Sequence, residues 1–242
     1  MKRIAQQRIF LGHQSAGMNL FDGIKQLSMT SGVPVRIAEV ATASAVLSAT
    51  IGHTFVEENR NPLRKLESFE HAMGPRRTAL DISLAKFCYV DFNSGTDVKD
   101  IYPHYKAAID ELKAGNPGTT FVHVTAPLTA VPGEFKTSLK KLLGYAPDGI
   151  LEDTRREEYN TLLRQTYQAR EPIFDLAHVE FTAPDGAAIS VEWKGNIVPV
   201  MDSVYTDDGE HLNTVGKLRA ARELISVLAS IPNRQKPDST TH

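Results

Sequence analysis

Short apolar runs alternate along this chain with longer segments whose hydrophobic residues recur at helical spacing. Five of the short runs are rich in β-branched or aromatic residues and are bounded by turn residues, a pattern typical of buried strands. These runs, each of which predicts a strand, are 8–12, 34–40, 84–90, 119–125 and 173–177.

Apolar residues three and four positions apart predict helices within 20–27, 103–113 and 218–228, and the segment 151–169 is predicted to form a charged, exposed helix. Pro103 suits the first turn of its helix, where a missing N–H costs no hydrogen bond. Alternation of strands and helices predicts an α/β protein with a mainly parallel sheet of about five strands, covered by helices on both faces. Such sheets carry their sites at the carboxyl ends of the strands.

The segment 187–200 departs from this alternation. Ile189, Val191 and Trp193 are separated by single residues, and glycines stand at 186 and 195. Alternation of this kind between turn residues predicts a β-hairpin inserted into the α/β pattern. We expect one domain over 1–231, followed by a polar tail at 232–242.

Composition narrows the classes of function. The 242 residues carry 27 basic and 29 acidic side chains, a net charge of −2, which argues against a nucleic-acid protein with a broad basic surface. The single cysteine, Cys88, excludes an internal disulfide or a multi-cysteine metal site. No apolar run reaches the ~18 residues of a membrane span. The first residues lack a secretory signal, so we expect a cytoplasmic protein, or an exported one whose signal has been removed.

Ser15 is the first candidate for chemistry. It stands in Gly12-His-Gln-Ser-Ala-Gly17, between a predicted strand and a predicted helix. The helix N-terminus offers free N–H groups to a developing oxyanion, and small neighbours allow close approach of a substrate. The alternative is a serine that only caps the helix.

The second candidate lies almost two hundred residues later, before the last predicted helix. Asp208 precedes His211 by three residues, a spacing at which a turn brings a carboxylate to one imidazole nitrogen and leaves the other as a general base. A solvated turn that caps the helix is the alternative. Ser15, His211 and Asp208 together would supply a nucleophile, a base and the group that orients it.

Further residues could complete or line such a site. Asn93 follows the third predicted strand and could donate its amide to an oxyanion, or simply occupy a turn. Gly52 could offer a backbone N–H. His13, Gln14 and His53 adjoin these positions and could line a pocket. The histidines show no metal-ligand spacing, so we expect no metal.

The order Ser15, Gly52, Asn93, Asp208–His211 resembles the SGNH (GDSL-like) hydrolase superfamily. The segment 208–216, Asp-Gly-Glu-His-Leu-Asn-Thr-Val-Gly, is its most similar part. The first block has Gln14 where Gly-Asp-Ser-Leu has aspartate, and this Gln-Ser pair is closer to carbohydrate acetylesterases of the same superfamily. In the third block, Asp91-Phe-Asn-Ser94 replaces the usual Gly-x-Asn-Asp.

The resemblance implies a flavodoxin-like three-layer α/β/α sandwich and an esterase that uses neither metal nor organic cofactor. It implies Ser15 as the nucleophile, His211 as the base, Asp208 as its orienter, and the N–H of Ser15 with Gly52 and Asn93 as the oxyanion hole. The substrate would be a small-molecule or carbohydrate ester, for example an O-acetylated sugar. An acyltransferase on the same scaffold and a non-catalytic carbohydrate-binding module remain alternatives.

Overall fold

The computed structural model describes residues 1–74, 79–131, 133, 140 and 142–232. In this part of the chain, six parallel strands form the central sheet, in the order β2-β3-β1-β4-β5-β6. The strands are β1 (Arg8–His13), β2 (Arg36–Glu39), β3 (Thr50–Phe55), β4 (Ile82–Ala85), β5 (Thr120–Val124) and β6 (Ile173–Phe174).

Helices cover both faces of this sheet. They are α1 (Met18–Ser31), α2 (Pro62–Met73), α3 (Val98–Gly115), α4 (Ile150–Tyr167), α5 (Leu176–Phe181) and α6 (Thr214–Ser230). One apolar core joins the sheet to α1, α5 and α6, and a second joins it to α2, α3 and α4. The predicted three-layer α/β class is confirmed. In the described part, no helix is long and apolar enough to span a membrane.

The sheet has one strand more than the sequence predicts. The additional strand is β3, which pairs with β1 on one side and with β2 on the other. Gly52 and His53 interrupt its apolar run, so its sequence does not show the pattern of a buried strand. Gly52 lies where a side chain would collide with Val46, because a Cβ there would be 2.5 Å from a Val46 methyl.

The third predicted strand, 84–90, is placed too late along the chain. The structure ends β4 at Ala85, and Tyr89–Asp91 form a 3₁₀ turn. The apolar run misleads because Phe87, Cys88 and Tyr89 are buried without belonging to the sheet. The carboxylate of Asp91 accepts a hydrogen bond from the Cys88 N–H at 2.7 Å, which fixes the turn instead of a strand.

Other element bounds also differ from the prediction. Helix α3 begins five residues before Pro103, since Asp97 caps it by accepting the Lys99 N–H at 2.9 Å. Pro103 therefore lies inside the helix. Of the predicted strand at 173–177, only β6 pairs in the sheet. The predicted hairpin is confirmed as the antiparallel pair β7 (Ser190–Trp193) and β8 (Asn196–Pro199). The predicted tail, apart from Pro232, lies outside the described residues.

Helices α1 and α6 pack side by side and run in the same direction. Asp22 pairs with Lys217 at 2.9 Å, while one turn or more later Leu27 lies beside Arg222 and Ile225. Gly23 permits this approach: a Cβ there would be 2.3 Å from the Lys217 carbonyl oxygen. The parallel packing places the N-terminal ends of both helices at the carboxyl edge of the sheet.

We predict that Gly23→Ala destabilises the protein. Overpacking of this kind costs about 1–3 kcal/mol, which should outweigh the ~1 kcal/mol by which alanine favours a helix over glycine. Urea unfolding measures the change, and Gln26→Ala, at an exposed position of the same helix, is the control. A Gly23→Ala protein as stable as the control would contradict the close packing of α1 and α6.

Candidate active site

The segment Gln14–Gly17, here called the nucleophile turn, follows β1 at the carboxyl edge of the sheet. Ser15 begins a 3₁₀ turn closed by a 2.7 Å hydrogen bond from the Gly17 N–H to the Gln14 carbonyl oxygen. Helix α1 starts immediately afterwards, with Gly17 as its N-cap and no side chain bonded to its first N–H groups. The Ser15 side chain therefore does not cap α1, and the residue is exposed.

The side chain of Gln14 ties the nucleophile turn to the neighbouring strand. Its Nε2 donates to the carbonyl oxygens of Val56 and Glu57, the latter at 3.0 Å. Both acceptors follow directly after β3. Gln14 thus holds the turn against the end of β3.

Asp208 and His211 form the pair that their spacing predicts. Asp208 Oδ2 lies 2.8 Å from His211 Nδ1, so the imidazole keeps its second nitrogen, Nε2, away from the carboxylate. The turn between them contains Gly209 at φ +87°, a conformation that favours glycine. Ala130 N–H donates to the Gly209 carbonyl oxygen at 2.8 Å, which anchors the turn to the segment after β5.

The carboxylate of Asp208 is held in its ionised form. Its Oδ1 accepts the backbone N–H groups of His211 at 2.7 Å and Glu210 at 2.8 Å. These bonds hold the pKa of Asp208 well below its usual range, although the side chain is 55% exposed. An anionic carboxylate beside Nδ1 favours the tautomer with the proton on Nδ1.

The fold brings Ser15 and His211 to the same end of the molecule. Each precedes one of the parallel helices α1 and α6, and a small crevice is lined both by Ala16 and Asn19 and by Glu210 and Leu212. Among the residues that the structure describes, no hydrogen bond joins Ser15 to His211. Catalytic hydrogen bonds are often long or misaligned without substrate and shorten when it binds.

Tyr89 contacts the imidazole from the side. Its ring stands edge-on to that of His211, with centroids 5.7 Å apart, and its hydroxyl donates to Glu210 Oε2 at 2.7 Å. Burial and this bond to a carboxylate raise the pKa of Tyr89, so the hydroxyl stays protonated. Neither Tyr89 nor Glu210 was predicted as a site residue, although Tyr89 lies in the predicted strand 84–90 and Glu210 in the segment 208–216.

A buried carboxylate joins the loops around the site. Asp91 Oδ1 accepts the Arg60 N–H at 2.9 Å, and its Oδ2 accepts Cys88 N–H and Lys65 Nζ, each at 2.7 Å. Lys65 also donates to Asn59 Oδ1 at 2.7 Å. The loop after β3 and the turn after β4 are thus fastened to α2 by one group.

A cavity of about 790 Å³ opens beside the Asp208–His211 turn. Most of its lining side chains are polar or charged, and they come from the segments that follow β3, β4 and β5 and from the turn before α6. The lining residues are Arg60, Tyr89, Val90, Phe92, Asn93, Thr129, Ala130, Val131, Asp148, Gly149, Glu152, Arg156, Ser203, Thr206, Asp207, Asp208, Gly209 and Glu210.

An ion pair supports the floor of this cavity. Arg156, which is 3% exposed, is paired with Asp153, and it donates to the Tyr89 carbonyl oxygen at 3.0 Å and to Thr129 Oγ1 at 3.1 Å. Burial raises the pKa of Asp153 to about 6, against the opposing effect of Arg156. Positions 153 and 156 are one helical turn apart on a charged helix. The sequence alone therefore predicts that both side chains lie on an exposed face, whereas both are buried.

Asn93 lies at the rim of the cavity and is exposed. Its Oδ1 accepts the Gly95 N–H at 2.8 Å, so the side chain forms the turn that the sequence allowed. This bond uses the carbonyl oxygen and leaves the amide NH₂ as the donor directed elsewhere. Both expectations for Asn93, turn residue and oxyanion donor, are compatible with this geometry.

The predicted role of Gly52 is wrong. It lies within β3, opposite Phe10 of β1 and Ala38 of β2, whereas Phe55 is the residue paired with the end of β1. Three residues of strand span about 10 Å. The N–H of Gly52 is therefore too far below the carboxyl edge to reach an oxyanion at Ser15.

The three residues predicted to line a pocket line neither of the two cavities described above. His13 is fully buried and His53 is 6% exposed, and both rings lie beneath the nucleophile turn. Gln14 is used in the bonds to the end of β3. In the described part of the chain, no group of three or more histidine, cysteine, aspartate or glutamate side chains could hold a metal ion.

No family model matches the chain, and no curated protein matches it. Solved structures do match. An acylhydrolase from Bacteroides fragilis is 13% identical with a TM-score of 0.55, over 92% of this chain and 86% of that one. A GDSL-like lipase from Bacteroides thetaiotaomicron is 10% identical with a TM-score of 0.55, over 93% and 89%.

A third structure, a lipolytic protein of the G-D-S-L family from Desulfitobacterium hafniense, is 7% identical with a TM-score of 0.54, over 91% of this chain and 99% of that one. Identities this low carry information about the fold and not about the chemistry. The chain therefore has the α/β fold of the SGNH (GDSL-like) hydrolases.

Proposed function

We propose that the protein is a serine esterase that hydrolyses an acyl ester through Ser15, His211 and Asp208. The observation that carries the proposal is the 2.8 Å contact between Asp208 Oδ2 and His211 Nδ1, formed at the same edge as an exposed serine that caps no helix. The contact orients a base, and the free serine supplies a nucleophile.

The reaction would proceed through an acyl-enzyme. Ser15 Oγ attacks the ester carbonyl carbon while His211 Nε2 takes the hydroxyl proton, and Asp208 stabilises the resulting imidazolium. The oxyanion would accept the N–H of Ser15 and the amide of Asn93. His211 then protonates the departing alcohol, and a water activated by the same nitrogen cleaves the acyl-enzyme to give the free acid.

The cavity beside the Asp208–His211 turn, which neither Ser15 nor His211 lines, supports an ester with a polar alcohol portion, such as an O-acetylated carbohydrate. Its rim carries Arg60, Asp148 and Glu152, together with Asn93 and Ser203, which suit hydroxyl groups better than a long acyl chain. A panel of acetyl esters, with sugar and with alkyl alcohols, tests this assignment. Preference for alkyl alcohols would contradict the polar character of the cavity as the basis of specificity.

The first test concerns the nucleophile. Ser15→Ala should abolish both ester hydrolysis and labelling by a fluorophosphonate probe. The free energy of unfolding should stay unchanged, because the Ser15 side chain caps no helix. Ala16→Ser, at a half-buried neighbouring position, should label like the wild type when Ser15 is present. Retained turnover in Ser15→Ala would contradict the assignment.

The two neighbouring carboxylates should differ in importance. Asp208→Asn removes the charge that stabilises the imidazolium, and we expect kcat/KM to fall on the order of 10- to 10⁴-fold. Asp207, whose Oδ1 is 3.3 Å from Asn213 Nδ2, touches neither His211 nor Ser15 through any described hydrogen bond. Asp207→Asn should therefore leave kcat/KM within about twofold. A larger loss in Asp207→Asn than in Asp208→Asn would refute the pairing.

The pH profile of kcat/KM should show a single decrease on its acid side. The pKa of Asp208 is lowered, so its carboxylate remains ionised where histidines change charge, between about pH 5 and 8. A general base must be neutral, so kcat/KM should decrease with unit slope as pH falls through that range. A pH-independent kcat/KM from about 5 to 8 would exclude histidine as the base.

A further inference from the structure

Two buried histidines form a chain of hydrogen bonds that ends at the nucleophile turn. His13 Nδ1 is 2.8 Å from the Gln14 carbonyl oxygen, and His13 Nε2 is 3.1 Å from His53 Nδ1. Because a carbonyl oxygen only accepts, His13 carries its proton on Nδ1, and its Nε2 accepts from His53 Nδ1–H when the ring is neutral. The direction of donation is therefore His53 to His13 to Gln14.

The last acceptor of this chain also closes the turn that carries Ser15. The Gln14 carbonyl oxygen accepts the Gly17 N–H at 2.7 Å, and that bond spans Ser15 and Ala16. One oxygen thus receives a donor from the turn above and a donor from the imidazole below. Its direction fixes the peptide plane between Gln14 and Ser15, whose N–H is the expected oxyanion donor.

The His13 ring is packed directly against the underside of the turn. A Cβ built on Gly17 would be 2.5 Å from His13 Cγ, so no side chain could stand between them. The rings of Phe21 and Phe55 lie 5.2 Å and 5.0 Å from that of His13. Aromatic packing fixes the ring positions. The hydrogen bonds also fix the direction of the Gln14 carbonyl group, which packing alone does not determine.

Burial keeps both imidazoles neutral. It lowers the pKa of His13 to about 4, against the bond to Gln14, and His53 and Lys86 nearby lower it further. Burial also lowers the pKa of His53, which lies near Glu39 and Lys25. Neutral rings near pH 7 preserve one direction of donation along the chain.

We propose that His53 and His13 are positioning residues that orient the nucleophile turn through the Gln14 carbonyl oxygen. The inference rests on the proposed role of Ser15 as the nucleophile. Neither histidine would touch the substrate, because both lie beneath the turn.

Two substitutions at His53 separate hydrogen bonding from space filling. His53→Leu removes the donor to His13, whereas His53→Asn offers its amide NH₂ in place of Nδ1–H. We expect His53→Leu to slow fluorophosphonate labelling of Ser15 about tenfold, and to lower the kcat of ester hydrolysis by a similar factor at unchanged KM. His53→Asn should restore both rates to within about threefold of the wild type. His104→Leu, at an exposed position of α3, is the control.

A second measurement does not depend on activity. Hydrogen exchange of the Gly17 amide, followed by NMR, should be faster in His53→Leu and close to the wild-type rate in His53→Asn. Nitrogen NMR of the wild type should show neutral His13 protonated on Nδ1, and this test applies even where a variant fails to fold. His13 protonated only on Nε2 would overturn the proposal.

The remaining outcomes also decide it. The positioning role would be overturned if His53→Leu showed labelling and Gly17 amide exchange at wild-type rates. It would also be overturned if both His53 variants lost the same fraction of the labelling rate, because the hydrogen-bond donor would then not matter. Absence of labelling in the wild type would refute the proposed esterase function. In that case, Gly17 exchange and the His13 tautomer would still establish or reject the hydrogen-bond chain.

Discussion

The buried ion pair between Lys65 and Asp91 is the interaction on which the geometry of the site depends. The side chains are 2% and 0% exposed, and removal of a charge from water costs several kcal/mol per ion unless it is fully hydrogen-bonded. Asp91 meets this condition with three donors: Lys65 Nζ and two backbone N–H groups from different loops. The pair can therefore exist only when both loops and α2 are in place.

The same pair explains an unusual backbone conformation at the cavity rim. Arg60 has φ +74°, which is uncommon and costly for a residue with a side chain. Its N–H is held by Asp91 Oδ1, so a charge-assisted hydrogen bond offsets the strain. The rim of the cavity is thus shaped from beneath by a group that lines no part of it.

Residues of the fold that could be predicted from the sequence are those whose local pattern agrees with their environment. The apolar runs of β1 and β5 and the helical spacing of α1 and α6 have this property. So does the Asp208–His211 spacing, since a turn of four residues determines that contact. Strand β3 was missed because Gly52 serves packing against Val46, which no local pattern shows.

His13 and His53 show which contacts could not be predicted from the sequence. Their position in the chain suggests a pocket, but successive strand residues point to opposite faces of a sheet, so His13 lies on the same side as Leu11, within the core. The bonds of His13 to Gln14 and His53 depend on the pairing of β1 with β3, two strands separated by a helix and another strand. Tyr89 and Arg156 were missed for the same reason, since their contacts join distant segments.

The parallel packing of α1 and α6 joins two helices that the ribosome synthesises far apart in time. Ser15 is synthesised almost two hundred residues before His211 and before helix α6, which packs beside α1. The face of α1 around Gly23, against which α6 packs, has no partner helix throughout that interval. If Ser15 and His211 have the proposed roles, the nascent chain carries the nucleophile without its base, and any activity that needs both can begin only after α6 has docked.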